Sequence, residues 1–148
     1  MSRRSGRTAV GQTVIVVCLA TGCFGGQGNV FSLEVGQCFD DPSVEADEIT
    51  DVVIVDCDSP HDNEVYATFD LAGSVYPGGD EVFESAQGGC GHRFSDYVGE
   101  PLVESELGAT FLAPTEQSWN NSDDREVVCY LFERRGARLD GSMQGTGS

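Results

Sequence analysis

The chain has 148 residues, 22% of them charged, with a formal net charge of −17 at pH 7. Acidic side chains number 25 against eight arginines and no lysine, which excludes phosphate-directed nucleic-acid binding and attachment to anionic lipid through a basic patch. The length suits one domain with a true core.

Residues 1–8 (MSRRSGRT) are basic and polar, and the apolar stretch Ala9 to Leu19 follows. Small residues Ala20-Thr21-Gly22 then lead to Cys23. This order is that of a secretory signal, and the apolar run falls short of the ~20 residues that a spanning helix needs. The segment ending at Cys23 resembles a bacterial lipobox, with Gly22 directly before the thiol and Leu19 one place further back than usual. The resemblance implies removal of residues 1–22 and attachment of lipid to Cys23. Two or more acyl chains hold a protein stably, because each buried methylene contributes about 0.8 kcal/mol. The remaining chain sets five arginines against 25 acidic residues, a formal charge of −20.

Residues 23–29 read as the lipidated cysteine and a short glycine-rich tether, and residues 30–143 as the folded domain. Phe31, Leu33 and Val35 alternate with polar residues up to Cys38-Phe39, which predicts a strand with one buried face. Asp40-Asp41-Pro42-Ser43 is a turn cluster. Ile49 to Cys57 is β-branched and predicts a strand. Glu64 to Leu71 predicts another, with Val65, Ala67, Phe69 and Leu71 on one face. The short link Ser59–Asn63 makes these two an expected antiparallel hairpin.

Asp80 to Tyr97 carries a helical stripe of Val82, Phe83, Ala86, Cys90, Phe94 and Tyr97. Gly88, Gly89 and Gly91 weaken it by about 1 kcal/mol each relative to Ala, so a break is expected there. Leu102 to Leu107 suggests a short second helix and Ala109 to Ala113 a strand. Pro114 opens a helical turn reaching Trp119. Glu126 to Glu133 is the clearest central strand, and Leu139 to Met143 a closing edge strand. Residues 144–148 read as a disordered tail. Strands outnumber helices and lie in hairpin order. The expected class is α+β: an antiparallel β-sheet with one or two packed helices, stapled by two disulfides.

Of six cysteines, Cys18 lies in the signal and Cys23 carries lipid. Cys38, Cys57, Cys90 and Cys129 remain, an even number in an exported chain. Three pairings are open, and Cys38–Cys57 with Cys90–Cys129 is favoured because each joins neighbouring elements. A zinc site is disfavoured: no Cys-x-x-Cys occurs, and the compartment is oxidising. No metal or cofactor is expected. No nucleophile elbow, phosphate loop or His-Glu-x-x-His helix is present, and no catalytic residue is assigned.

Two histidines occur. His61 sits among Asp56, Asp58, Asp62 and Glu64, either as a turn residue or as an acid–base or metal-binding group. His92 has no patterned partner. Trp119 is either core or an anchor for a partner.

From Val35 to about Gly141 the chain resembles the actinobacterial septum-formation domain. The residues that carry the likeness are Val35-Gly36-Gln37-Cys38-Phe39, then Val55-Asp56-Cys57, Ser59-Pro60-His61-Asp62 and Glu64-Val65-Tyr66-Ala67. Cys90 with Phe94, Pro114-Thr115 before Trp119, and Arg125 before Val128-Cys129 follow. The resemblance implies a membrane-attached extracytoplasmic domain linked by name to cell division, with no catalytic residue to carry across. The expected role is a non-enzymatic binding or structural module on the outer face of the cell membrane. It would meet an envelope protein or polymer through His61, Asp62, Tyr66 and Trp119. The rival readings are an envelope hydrolase or metal-dependent enzyme built on His61 and nearby carboxylates, and a cation buffer. An enzyme predicts His61 in an open pocket beside a carboxylate; a module predicts it packed in a turn.

Overall fold

The computed structural model describes residues 26–29, 32–42 and 51–147. The signal segment and Cys23 lie outside the described residues. One six-stranded sheet runs through the domain, built from β1 (Gly26–Asn29), β2 (Cys38–Asp40), β3 (Asp51–Val55), β4 (Asn63–Asp70), β5 (Leu107–Leu112) and β6 (Glu126–Glu133). Its order is β1-β3-β2-β4-β6-β5, and every neighbouring pair is antiparallel. Two helices join it, α1 (Gly79–Val98) and α2 (Glu116–Ser122). The α+β class and both expected disulfides are present.

Several local expectations change. The hairpin between β3 and β4 does not form, because β2 pairs with both and lies between them. The long first strand shrinks to Cys38–Asp40. Residues around Gly36 turn instead (φ +87°), and Val35 is exposed. The Gly36 amide donates to the Val65 carbonyl, and the Val65 amide to the Gln37 carbonyl. Leu102 to Glu104 form a turn rather than a helix, closed by the Glu104 amide on the Pro101 carbonyl. The last strand reduces to one bridge between His61 and Leu139. Gly26–Asn29 of the expected tether is strand β1, paired with β3. The expected disordered tail is hydrogen-bonded through Gly145 and Gly147 to the carbonyls of Tyr97 and Val98.

Helix α1 runs unbroken through its glycines. Val82, Ala86, Cys90, Phe94, Tyr97 and Val98 form its buried face, and the Cys90–Cys129 disulfide ties that face to β6. Gly89 is required by contact: a Cβ there would lie 2.2 Å from Cζ of Phe69 on β4. Gly99 ends the helix in the left-handed region and donates to Ser95, as a glycine does at little steric cost.

The sheet has two different faces. Under α1, Tyr66, Ala67, Val127, Cys129 and Leu131 form the larger core cluster with the helix stripe. On the opposite face Leu33, Phe39, Val52, Val65 and Val128 form a smaller one, with Tyr130 and Leu112 packed against it. A register shift between Val65 and Ala67 separates them. The extra residue, Tyr66, turns inward beside Ala67, so Val65 does not share a face with Ala67 and Phe69 as strict alternation requires.

Candidate functional site

The residues singled out in the sequence separate into two regions, one buried and one open. The buried region lies where β2 meets β4. Cys38 sits directly opposite Glu64 in the ladder, so their side chains share the helix-covered face. Glu64 is fully buried and accepts three hydrogen bonds. The Tyr97 hydroxyl (2.7 Å) and the Ser142 hydroxyl (2.6 Å) reach Oε1, and the Met143 amide (2.7 Å) reaches Oε2. Desolvation and the neighbouring Glu64 hold the Tyr97 hydroxyl far above the usual tyrosine range.

His61 lies beside them, with 0% of its surface exposed. Its amide donates to the Leu139 carbonyl, and the Leu139 amide donates back. Nδ1 lies 2.8 Å from the Ser59 carbonyl oxygen. A carbonyl only accepts, so Nδ1 carries the proton, and in the neutral imidazole Nε2 presents a lone pair. Nε2 is buried and has no hydrogen-bond partner. Cys38 Sγ, a His61 ring nitrogen and a Glu64 oxygen lie within 4.8 Å of one another. Cys38 is bonded to Cys57 at 2.00 Å, so its sulfur is not a thiolate ligand in this state.

Tyr66 and Trp119 are core residues too. The Tyr66 hydroxyl donates to the Cys90 carbonyl (3.1 Å), and burial pushes its pKa up to about 12. Trp119 is 1% exposed. Tyr76 meets it edge-on, and the Arg125 guanidinium stacks 3.8 Å from its ring. Arg125 also donates to the carbonyls of Gly73, Trp119 and Asp124. Of the four expected contact residues, His61, Tyr66 and Trp119 are therefore sealed inside. Only Asp62 reaches solvent.

The open region is a cleft of about 360 Å³ on the sheet face away from α1, lined by Asp41, Asp62, Asn63, Tyr130, Phe132 and Glu133 among others. Its floor comes from alternation: residues 130 and 132 of β6 point away from the helix because Cys129 and Leu131 point toward it. Tyr130 meets Phe39 edge-on, and Phe132 lies over Gly108, where a Cβ would stand 2.5 Å from its Cζ.

The rim is acidic and held by its own hydrogen bonds. Asn63 Nδ2 donates to Asp41 Oδ1 (2.7 Å), and the Asp41 amide to Asp62 Oδ2 (3.1 Å). Glu133 Oε2 accepts from the amides of Arg135 and Ala137. Arg138 pairs with Asp40 and, through Nε at 3.3 Å, with Asp62. Desolvation and the charge of Asp41 raise the pKa of Tyr130. Sequence alone marked Asp62 but missed Asp41, Tyr130, Phe132 and Glu133. The usable signal was the even-numbered half of a strand whose odd half is core.

The sequence profile of a family described as septum formation matches residues 9–135. The chain belongs to the septum-formation family. Among curated relatives it is 31% identical over 116 residues to proteins named "Putative lipoprotein LppN" in Mycobacterium tuberculosis and Mycobacterium bovis. The alignment covers 76% of this chain and 63% of each relative, so the chain matches less than two thirds of their length. No solved structure matches it. Neither the family description nor the relatives' name states a reaction. Among the described residues no helix is long and apolar enough to cross a membrane.

Proposed function

We propose that this septum-formation domain is a non-enzymatic binding module of the cell envelope, anchored through lipid on Cys23 to the outer face of the cell membrane. The observation that carries the reading is the division between the two regions. His61, the residue best suited to acid–base chemistry, is sealed behind β2, while the solvent-open cleft presents aromatic rings and carboxylates. Such a surface recognises rather than reacts, and its charge favours an envelope component bearing basic groups. Two closed disulfides agree with an oxidising compartment, and the relatives' name agrees with a lipid anchor. The link to division rests on the family description.

Two measurements test this. The intact mass of membrane-purified protein should equal the chain from Cys23 onward plus its acyl groups, and Cys23→Ala should release the protein from membranes. Unchanged retention of that variant defeats the anchor. Co-sedimentation with isolated envelope polymer and its bound proteins should weaken as salt rises and fall at least tenfold in Thr110→Arg, because Thr110 of β5 lines the cleft beside Tyr130. Undiminished binding by that variant defeats the cleft as the contact surface.

A further inference from the structure

We propose that the buried Cys38–His61–Glu64 cluster is a latent zinc site, closed while Cys38 is bonded to Cys57 and opened by reduction of that disulfide. Three observations converge. His61 Nε2 is fully buried, carries a lone pair and has no partner. The Nδ1–H bond to the Ser59 carbonyl is the kind of contact that orients a metal-binding imidazole by holding the nitrogen away from the metal. Glu64 uses three of its roughly four lone-pair sites, two on Oε1 and one on Oε2, so the carboxylate retains one site for a metal.

The spacing is nearly right. Zinc bonds of about 2.0–2.3 Å place tetrahedral ligands roughly 3.3–3.8 Å apart. Mutual distances within 4.8 Å need contraction of only about an ångström. The converging atoms come from Cys38, His61 and Glu64, so these three donors leave the fourth position of a tetrahedral zinc to water or another small ligand. Thiolate, imidazole and carboxylate form a donor set suited to zinc rather than to calcium or magnesium.

Access to the two disulfides differs. Cys57 is half-buried, whereas Cys38, Cys90 and Cys129 are all buried. An external dithiol therefore reaches one protein sulfur. Its thiolate attacks Cys57 Sγ, the protein S–S bond breaks, and the electron pair leaves on Cys38 Sγ. The second thiol of the reagent then displaces Cys57 from the mixed disulfide. The dithiol is oxidised by two electrons to its own disulfide, and the protein gains two thiols. Zinc entry releases the Cys38 proton as that sulfur becomes a thiolate ligand.

The test uses zinc alone, competed against a chromophoric chelator, and cobalt(II) as a spectroscopic substitute. Cys57→Ser leaves Cys38 free beside His61 and Glu64 without any reductant, whereas Cys38→Ser leaves only the half-buried thiol of Cys57. Cys57→Ser should hold one zinc at least tenfold more tightly than Cys38→Ser. It should show a thiolate-to-cobalt charge-transfer band and lose both properties when His61→Gln is added. If Cys57→Ser does not fold, the wild-type chain reduced by a phosphine is compared with reduced His61→Gln, with the same expectation. Equal zinc affinity with and without His61, or equal affinity in Cys57→Ser and Cys38→Ser, overturns the proposal.

Discussion

Replacing the three central glycines of α1 one at a time with alanine should give effects of opposite sign. Intrinsic preference favours Ala over Gly by about 1 kcal/mol at an interior helix position. Gly88 and Gly91 are exposed, and a Cβ at either meets nothing within 4 Å. Gly88→Ala and Gly91→Ala should each stabilise the domain by about 0.5–1 kcal/mol, or about 3 °C in Tm. At Gly89 the new Cβ would stand 2.2 Å from Cζ and 2.9 Å from both Cε atoms of Phe69. Carbon atoms pack at about 3.5–4.0 Å, so the ring must retreat by more than an ångström. Phe69 packs on the main core cluster and carries the Arg93 guanidinium 4.3 Å from its centroid. Overpacking of this kind costs typically 1–3 kcal/mol, which outweighs the helix gain. Gly89→Ala should be net destabilising by up to about 2 kcal/mol. Urea unfolding followed by circular dichroism, with both disulfides intact, reads all three at one m value. If Gly89→Ala proves as stabilising as Gly88→Ala, the close approach of α1 to β4 is wrong.

Two further perturbations probe the buried carboxylate and the strand ends. Glu64→Gln turns one acceptor into a donor that faces donors from Tyr97, Ser142 or Met143; it should cost about 2–3 kcal/mol and speed amide exchange of residues 143–147 relative to β6. Unchanged exchange there would detach the C-terminal segment from Glu64. Glu126 stands directly opposite Asp70 in the ladder, and its pKa is raised by desolvation and by the charges of Asp70 and Asp124. The folded chain thus holds this proton more tightly than the unfolded chain. The charged form begins to cost stability as pH rises past the ordinary value near 4.5. Glu126→Gln should therefore stabilise the protein at pH 7 and lose that advantage below about pH 4; an equal gain at both pH values would show that charge is not the cause.

Much of the architecture was legible in the residues themselves. Helix α1 and strand β6 follow from periodicity, because each buries one regular face; β4 is legible as a strand although its bulge breaks the alternation, and Pro114 marks the start of the short helix that carries Trp119. The disulfides followed from cysteine count and neighbouring elements. Other features were not readable. A linear reading places Tyr66 among the expected contact residues and leaves Trp119 open between core and anchor; a bulge and an arginine stack take both into the core. His61 reads either as a packed turn residue or as an acid–base or metal-binding group, and nothing local shows that a bridge to Leu139, 78 positions away, seals it.

Composition and spacing alone determine the acidic charge, the helical and strand periods, and the even set of four cysteines that can pair. These are properties of local sequence, and they persist wherever the chain lies. Only the tertiary structure decides that β2 inserts between β3 and β4, that Glu64 gathers donors from α1 and the C-terminal segment, and that the even residues of β6 floor a cleft. Those outcomes depend on which distant segments share a face of the sheet, and that choice is made by close packing between elements rather than by the pattern within any one of them.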